Sequence, residues 1–232
     1  MPQKIVSNGC AYTEQRYLNN KDRWTTKIGV ADNLAFGGAS NERIFYTTIE
    51  YLNQYDPDTV IINWTTMNRH MLPSSDGSRL AICAPGIYID ELVERPKEHW
   101  LELGDLYYKH CDSNYTSLER MLNYILHIQK VCNDRKIKLL NFTSYLHPLT
   151  DEYLYQVSKD IVSINNTEKV HNNVQESVDK LKTLLNLIDK DVWIHKFWYS
   201  MGEHCRDFPR TNTGHPGVDG SNHWASLISD YL

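Results

Sequence analysis

Short apolar runs alternate with helical patterns along the whole of this chain of 232 residues. The clearest run is residues 60–64, which are mostly apolar and β-branched and follow the turn-forming residues 56–58; this combination is typical of a buried strand. Shorter runs of the same kind occur at residues 5–6, 30–36, 137–142 and 192–194. Strands that alternate with helices within one domain predict an α/β fold with a central parallel sheet of about five strands and helices on both faces.

Amphipathic helices are predicted in the intervals between these runs. One stripe with a period of about 3.6 residues predicts a helix with one apolar side, and it consists of Leu118, Met121, Leu122, Ile125, Ile128 and Cys132. A second stripe consists of Val174, Val178, Leu181, Leu185 and Ile188. Ser40 or Asn41 can cap a further helix, because a side-chain oxygen at that position accepts a hydrogen bond from the first N–H groups.

The length of the chain predicts one domain, residues 1–232, that contains two irregular insertions. Prolines, glycines and serines interrupt residues 66–115, and residues 143–173 form the second irregular stretch. Long insertions of this kind often form lids or substrate walls in α/β domains. We therefore expect substrate specificity to depend on these segments.

Composition argues against several classes of function. The net charge of −5 argues against a nucleic-acid-binding surface, and no apolar run approaches the roughly 18 residues that would span a bilayer. The N-terminus has Lys4 but no apolar segment after it, so we expect no signal peptide. Five irregularly spaced cysteines favour reduced thiols over a disulfide framework. These features predict a cytoplasmic protein.

Three short segments carry more specific information. They are Asn8-Gly9-Cys10-Ala11-Tyr12-Thr13, Asn33-Leu34-Ala35-Phe36-Gly37-Gly38-Ala39-Ser40-Asn41, and Gly214-His215-Pro216-Gly217-Val218-Asp219-Gly220 followed by Trp224-Ala225. Read together in this order, they resemble the SGNH (GDSL-like) hydrolase superfamily. The resemblance implies a flavodoxin-like three-layer sandwich, the SGNH-hydrolase fold. Ligands in open α/β sheets of this kind bind beyond the carboxyl ends of the strands.

The resemblance places Ala11 at the position of the family's nucleophilic serine and His215 at the position of its base. A methyl group cannot attack a carbonyl carbon, so the chain as written lacks the nucleophile. The family has an aspartate three residues before the histidine, where this chain has Asn212. An asparagine can orient an imidazole but cannot stabilise its positive charge. Asp207 can take the role of that aspartate if the loop between it and His215 folds back.

The same resemblance implies three donors for an oxyanion: the backbone N–H of Ala11, that of Gly38, and a side chain after the third strand. The family's asparagine at the third place is absent from residues 63–69, where Thr65 or Thr66 can donate instead. Arg69 can hold an anionic group, or it can simply be solvated, and Trp64 can belong to the core. The residues expected to contact the substrate are Cys10, Ser40, Asn41, Trp64, Thr66 and Arg69.

Other chemistry is less well supported by the sequence. Cys10 adjoins the missing nucleophile, but neighbouring residues that leave a strand point in different directions, so we expect a buried structural thiol. His204, Cys205, His215 and His223 match no zinc-site spacing, and we expect neither a metal nor a cofactor. Aromatic residues that can stack on a sugar or a base, or equally pack in the core, are Trp100, Tyr107, Trp198 and Tyr199.

Two functions of different classes follow from these observations. The first is an SGNH-type serine ester hydrolase, deacylase or acyl-transferase scaffold for an acylated small molecule or carbohydrate. It is inactive as written because Ala11 replaces the serine, whether by nature or by an engineered substitution. The second is a natural pseudoenzyme that binds a carbohydrate or nucleotide-like ligand in the cleft that held the substrate of the ancestral hydrolase. A phosphodiesterase-like activity would need a metal or an activated water. We expect no nucleic-acid or membrane partner.

Overall fold

The fold is described from a computed structural model. It describes residues 3–73, 79–83, 98–110, 112–145, 149–165 and 170–232. The chain divides into two compact units. The first comprises Met1–Thr66, Ile128–Leu146 and Lys190–Leu232, and the second comprises Met67–His127 and His147–Asp189. The expectation of a single domain over residues 1–232 stays a prediction.

The first unit contains a parallel sheet, as the sequence predicts, but with four strands rather than the predicted five or so. The strands are β1 (Ile5–Asn8), β2 (Asp32–Asn33), β3 (Thr59–Trp64) and, last in the chain, β6 (Lys138–Thr143). Their order is β2-β1-β3-β6, and Asn8 pairs with Ile62, which pairs with Asn141. The carboxyl ends of β1 and β3 therefore lie side by side, which is where the sequence predicts the site.

The fifth predicted strand, residues 192–194, is reduced to isolated parallel bridges beside β6. These bridges join Asn141 to Trp193 and Thr143 to Ser200. Between them, His195 and Trp198 have positive φ angles of 65° and 66°. A left-handed residue turns the chain out of the extended conformation, so continuous pairing along β6 is interrupted. This explains why the sheet has four strands rather than five.

Helices cover both faces of the sheet and give the first unit its three layers. On one face, Asn8 Nδ2 donates to the carbonyl of Ile44 at 3.0 Å in helix α3 (Asn41–Leu52). On the other face, the Phe142 ring packs between Trp24 and Trp224, with ring centroids 5.9 and 4.9 Å away. These tryptophans belong to two helices, α2 (Trp24–Lys27) and α9 (Val218–Ser229). The predicted α/β sandwich is confirmed.

The other described helices of the first unit are short, and a long helix with residues in both units follows the first stripe of the prediction. Helix α1 comprises Ala11–Glu14 and helix α8 comprises Met201–His204. Helix α5 (Asn114–Asp134) contains the predicted stripe from Leu118 to Cys132, whose six residues are at most 1% exposed. Burial raises the pKa of the Cys132 thiol to about 12, and it raises that of Cys205, just after α8, to the same range.

The second unit contains regular structure where the sequence predicts irregular insertions. Strands β4 (Arg69–Pro73) and β5 (Arg79–Cys83) pair in antiparallel fashion. Three helices follow in the chain at α4 (Glu98–His110), α6 (Asp151–Asn165) and α7 (Val170–Leu187). The described parts of 66–115 and 143–173 thus contain strands and helices, whereas residues 74–78, 84–97, 146–148 and 166–169 lie outside the described residues. The expectation of irregular insertions stays a prediction for the latter.

A buried polar cluster ties β4 to α5 within the second unit. His70, which is 2% exposed, has its Nε2 3.0 Å from Asp112 Oδ2 and its Nδ1 3.2 Å from Arg120 Nη1. A guanidinium only donates hydrogen bonds, so Nδ1 of His70 accepts a hydrogen bond from Arg120. The other ring nitrogen, Nε2, carries the proton and donates a hydrogen bond to Asp112. Burial raises the pKa of Asp112, but hydrogen bonds from His70 and Ser117 outweigh burial and lower it.

This cluster contains a serine, a histidine and an aspartate, yet it is not a catalytic triad. Ser117 Oγ donates to Asp112 at 2.6 Å, and it lies 3.3 Å from the same ring nitrogen of His70 that faces the carboxylate. In a triad, the hydroxyl and the carboxylate contact opposite nitrogens of the ring. The cluster is therefore structural.

Within the described parts of the chain, no helix is both long and apolar enough to cross a membrane.

Gly9 holds the end of β1 against its neighbours, and this leads to the first prediction. A Cβ atom at Gly9 would lie 2.7 Å from Asn63 Cβ and 2.6 Å from Thr13 Oγ1. We expect Gly9→Ala to lower the free energy of unfolding by about 3 kcal/mol, because a packed site must shift to admit the methyl group. Urea denaturation measures this change.

Gly29→Ala provides the matched control for Gly9→Ala. Gly29 has a φ of 74° and nothing within 4 Å of its added Cβ, so its substitution costs only the left-handed backbone conformation, about 1 kcal/mol. Equal losses at the two glycines would contradict the steric explanation.

Candidate active site

Ala11 begins helix α1 directly after the turn that ends β1. The carbonyl of Cys10 accepts from the N–H groups of Thr13 and Glu14 at 2.9 and 3.0 Å, which closes the first turn of the helix. The N–H of Ala11 meets no acceptor among the described residues, as expected for the first N–H groups of a helix. Ala11 is itself half-buried. Its N–H is therefore free to donate to a ligand.

Gln15 fixes the position of α1. It ends the helix in a left-handed conformation, with a φ of 48°, and its side chain is completely buried. Its Oε1 accepts from the N–H of Trp24 at 2.8 Å and from Ser221 Oγ at 3.1 Å. These bonds tie α1 to both α2 and α9, so the backbone that carries Ala11 is held from two sides.

Gly38 lies beside α1 because the chain after β2 continues along β1. The N–H of Phe36 donates to the carbonyl of Gly9 at 3.1 Å, and the N–H of Gly37 donates to Glu14 Oε2, on α1, at 2.7 Å. Gly38 follows with a φ of 80°, a conformation that favours glycine. Its N–H also meets no acceptor within the described segments. Two unsatisfied N–H groups on adjoining segments are what an oxyanion requires.

Asn41 acts as a clamp on the chain that leaves β3. Its Oδ1 accepts from the N–H of Thr65 at 2.8 Å, and its Nδ2 donates to the carbonyls of Thr65 and Thr66 at 3.2 and 3.4 Å. Asn41 is 4% exposed, and its side chain is fully used. The Thr65 N–H is used as well, but Thr65 Oγ1 is buried without a partner in the part of the chain that is described. Thr65 as the third oxyanion donor stays a prediction.

Three of the residues expected to contact a substrate are buried in internal contacts. Trp64 is 0% exposed, and its Nε1 donates to Asn141 at 3.0 Å. Ser40 caps α3 by accepting from the N–H of Arg43 at 3.2 Å. Cys10 is 1% exposed, with its Sγ 2.9 Å from Ser144 Oγ. Trp64, Ser40 and Cys10, like Asn41, are therefore buried and make internal contacts, and a substrate contact at these residues stays a prediction.

The other residues of the prediction lie elsewhere. Thr66 is half-buried, and Arg69 starts β4 in the second unit. Tyr107 belongs to that unit too and packs 5.2 Å from the His70 ring, whereas the Trp100 side chain lies outside the described residues. Trp198 is 4% exposed and stacks on Trp193 at 5.1 Å, which is the packing of a core residue.

The structure brings His215 next to the residues that flank Ala11. The His215 ring lies edge-on to Tyr12, with centroids 5.2 Å apart, and stacks on Tyr17 at 4.7 Å. Tyr12 is the residue after Ala11, so the candidate base and the nucleophile position meet through this ring. The pKa of the Tyr17 hydroxyl is raised, mainly by burial. Tyr17 is therefore uncharged where the imidazole ring stacks on it.

Thr213 contacts His215 in place of the predicted residues. Thr213 Oγ1 lies 2.9 Å from His215 Nδ1. Asn212 and Asp207 are exposed, and neither has a hydrogen bond to His215 in the described structure. The reason is a tight turn, in which the N–H of Gly214 donates to the carbonyl of Thr211 at 2.9 Å. In this structure Thr213, rather than Asn212 or Asp207, contacts Nδ1, and the residue that orients the imidazole in function stays a prediction.

Sequence reasoning missed Thr213 and Tyr17, and only one of them has a signal. A hydroxyl residue two positions before a histidine can reach Nδ1 when a glycine follows it in a turn, as Gly214 does here with a φ of 78°. Such local bonds from Thr and Asn are common in turns. Tyr17 reaches the ring only because the chain reverses after α1, which no spacing indicates.

A chain of hydrogen bonds near the end of the first unit involves two more histidines. Tyr199 OH lies 2.7 Å from His204 Nδ1, and His204 Nε2 lies 2.7 Å from His223 Nδ1. Burial, followed by the charges of His223 and His195, lowers the pKa of His204. No group of three metal-ligating side chains is assembled within the described residues. Tyr199 is thus occupied by His204, and the histidine pair joins α8 to α9.

Comparisons with known proteins agree with this architecture. No protein-family model and no curated protein matches the chain. Among solved structures, TesA has 9% sequence identity over 98% of this chain and 97% of its own, with a TM-score of 0.50. A GDSL-like lipase from Bacteroides thetaiotaomicron has 11% identity, covers 99% and 87% of the two chains and has a TM-score of 0.48. The psychrotrophic esterase EstA from Pseudoalteromonas has 10% identity, coverage of 98% and 95%, and a TM-score of 0.47.

At identities this low, a structural likeness shows the fold alone. The predicted resemblance is confirmed at that level: the chain has the fold of the SGNH (GDSL-like) hydrolases.

The contact between Thr213 and His215 gives the second prediction. Thr213→Val keeps the shape of the side chain but removes its hydroxyl, so we expect the ¹⁵N chemical shift of His215 Nδ1 to change in NMR spectra of the ring nitrogens. Asn212→Ala and Asp207→Ala are the matched controls, and neither should move that resonance. If Asn212→Ala or Asp207→Ala moves the Nδ1 resonance and Thr213→Val does not, then Asn212 or Asp207, and not Thr213, orients the imidazole.

The lowered pKa of His204 gives the third prediction. The folded state keeps His204 neutral at pH values where the unfolded chain already binds a proton, so the stabilising contribution of His204 is complete above the ordinary histidine pKa. It decreases as the pH falls through that value. We expect the free energy of unfolding to decrease between about pH 7.5 and pH 5.5, and His204→Gln to flatten this dependence. A slope that is insensitive to His204→Gln contradicts this assignment.

Proposed function

We propose that this chain is an SGNH-type ester hydrolase or deacylase scaffold that binds an acyl ester but lacks the nucleophile to cleave it. The observation that carries the proposal is the grouping of Ala11, Gly38 and His215. The N–H groups of Ala11 and Gly38 have no acceptor in the described structure, and His215 packs on Tyr12, the neighbour of Ala11. Two N–H groups without an acceptor and an imidazole beside the neighbour of Ala11 support a site for an acyl ester at this position.

The chemistry of this grouping follows from the parts that are present. A hydroxyl at position 11 would attack the acyl carbonyl carbon while His215 takes its proton, and the oxyanion would accept from the N–H groups of residues 11 and 38. His215 would then return the proton to the leaving alkoxide, and water would hydrolyse the acyl intermediate. Thr213 would keep the imidazole aligned through Nδ1. A neutral threonine stabilises an imidazolium less than a carboxylate does, so we expect a modest rate even with a serine in place.

The substrate class in this proposal is an acyl ester of a small molecule or a carbohydrate. The net charge of −5 disfavours nucleic acid as a partner. Transfer of the acyl group to an acceptor other than water uses the same residues, so the proposal includes acyl-transferase chemistry.

A binding module without any catalytic role is the second candidate. The observation that favours it is the combination of two departures from a working triad: Ala11 supplies only a methyl group, and Asn212 is exposed and does not contact His215. A pseudoenzyme can lose both features and still bind a carbohydrate or nucleotide-like ligand through the free N–H groups.

Restoring the nucleophile is the experiment that tests the proposal and the fourth prediction. We expect Ala11→Ser to hydrolyse p-nitrophenyl acetate or butyrate at least about 100-fold faster than the chain as it stands, because a base-activated nucleophile contributes at least that factor. His215→Ala in the same background should remove the gain. The release of p-nitrophenol is measured for all four combinations.

The four combinations separate the two candidates. A gain that depends on His215 supports the hydrolase scaffold. Equal background rates in all four, over a panel of acyl chain lengths and sugar acetates, would contradict it and leave the binding module. Thr213→Val combined with Ala11→Ser should lower kcat more than it raises KM, since Thr213 orients the base rather than holding the substrate.

A further inference from the structure

Arg43 carries a charge that nothing in the described structure neutralises. It lies in the first turn of α3 and is half-buried. Its Nε is buried without an acceptor, and its guanidinium makes no ion pair or hydrogen bond within the described residues. Arginine offers five N–H donors, and a buried donor that remains unsatisfied costs free energy. The arginine is thus held in an arrangement that a ligand with acceptor oxygens would complete.

Phe36 holds the guanidinium in place. The Cζ atom of Arg43 lies 4.6 Å from the centroid of the Phe36 ring, a cation–π contact worth about 0.5–2 kcal/mol. The N–H groups of this guanidinium have no acceptor within the described residues. A flat, oriented set of donors suits a two-oxygen anion, because Arg binds carboxylates in a bidentate manner.

The nearby charges do not satisfy Arg43. Glu14 Oε2 lies 3.5 Å from Arg16 Nε and also accepts from the N–H of Gly37 at 2.7 Å, so its charge is already used. Arg16 lies near the same phenyl ring, 5.8 Å from its centroid. Glu42, the residue before Arg43, forms no ion pair with it in the described structure. The Phe36 ring is therefore flanked by two cations and only one engaged carboxylate.

The aromatic ring that Arg43 contacts belongs to the segment that carries Gly38. The N–H of Phe36 donates to the carbonyl of Gly9, and Gly38 follows Phe36 by two residues. The Arg43 guanidinium lies over the Phe36 ring, so the cation adjoins the segment that presents the N–H of Gly38.

We propose that Arg43 and Phe36 form a subsite for a carboxylate carried by the ligand, so that the preferred ligands are anionic acyl esters such as the monoesters of dicarboxylic acids. Arg43 binds the carboxylate in a bidentate manner, and Phe36 contacts the methylene groups between the carboxylate and the ester. The placement of the ester at Gly38 rests on the proposed function, whereas the preference for an anion rests on Arg43 alone.

Binding to the chain as it stands tests the subsite and is the fifth prediction. With Ala11 unchanged no cleavage interferes, so monoethyl succinate and the neutral ester ethyl butyrate can both be titrated and followed by NMR at low ionic strength. We expect monoethyl succinate to bind about tenfold more tightly. Arg43→Gln should remove that difference, and Arg43→Lys should keep only part of it, because lysine has the charge without the fork.

Lys190→Gln is the matched control. Lys190 also lies over an aromatic ring, 5.5 Å from the centroid of Phe197, so its substitution removes the same charge and the same kind of contact elsewhere in the first unit. It should leave the preference for monoethyl succinate unchanged. Thermal unfolding of each variant confirms that a loss of binding is not a loss of fold.

The outcomes separate the subsite from the proposed function. No binding of monoethyl succinate, equal binding of the two esters, or a preference that survives Arg43→Gln would overturn the subsite, even if Ala11→Ser proves active. A preference that depends on Arg43 supports it even if Ala11→Ser is inactive. Binding of inorganic phosphate that competes with monoethyl succinate and needs Arg43 would support a subsite for anions in general, and absence of competition would support one confined to carboxylates.

Discussion

The candidate site depends on one close approach, at Gly9. Without a side chain there, the end of β1 lies against Asn63 of β3 and Thr13 of α1 at distances no Cβ could tolerate. The carbonyl of Gly9 then accepts from Phe36, which brings the second segment alongside the first. A single glycine therefore determines how closely three segments approach the end of β1: the neighbouring strand β3, the following helix α1, and the turn that presents Gly38. The unsatisfied N–H groups follow from this geometry rather than from any special residue at position 11.

Much of the sheet can be predicted from the sequence because its strands are buried on both faces. Residues 60–64 are mostly apolar, and together with Thr59 they form β3, in which every residue is buried. By contrast, β2 has only two residues, since the chain there follows β1 mainly by irregular hydrogen bonds. His195 and Trp198 adopt left-handed conformations although neither is a glycine or an asparagine, so the interruption of the fifth strand has no counterpart in composition.

The site itself was predictable only in outline. The positions of Gly38 and His215 follow from short segments with recognisable spacing, but the partners of these residues do not. A ligand contact could be expected from sequence position at Trp64, Ser40 and Asn41. Each of these side chains instead forms a hydrogen bond within the fold, which the sequence alone does not indicate. Thr213 is the opposite case: it is an exposed threonine whose hydroxyl reaches Nδ1 through a local turn, a contact that its spacing from the histidine and the glycine between them could have indicated.

The buried thiols of Cys132 and Cys205 have a practical consequence for following motions in this fold. With a pKa of about 12, only about one thiol in ten thousand is ionised near pH 8, and the thiolate is the form that alkylating reagents attack. Both sulfurs are also completely covered. Cys132 lies in the last turns of α5, and Cys205 Sγ donates to the carbonyl of Gly220 in α9 at 3.4 Å. The alkylation rate at Cys132 therefore reports how often α5 opens, and the rate at Cys205 reports how often the segment after α8 separates from α9.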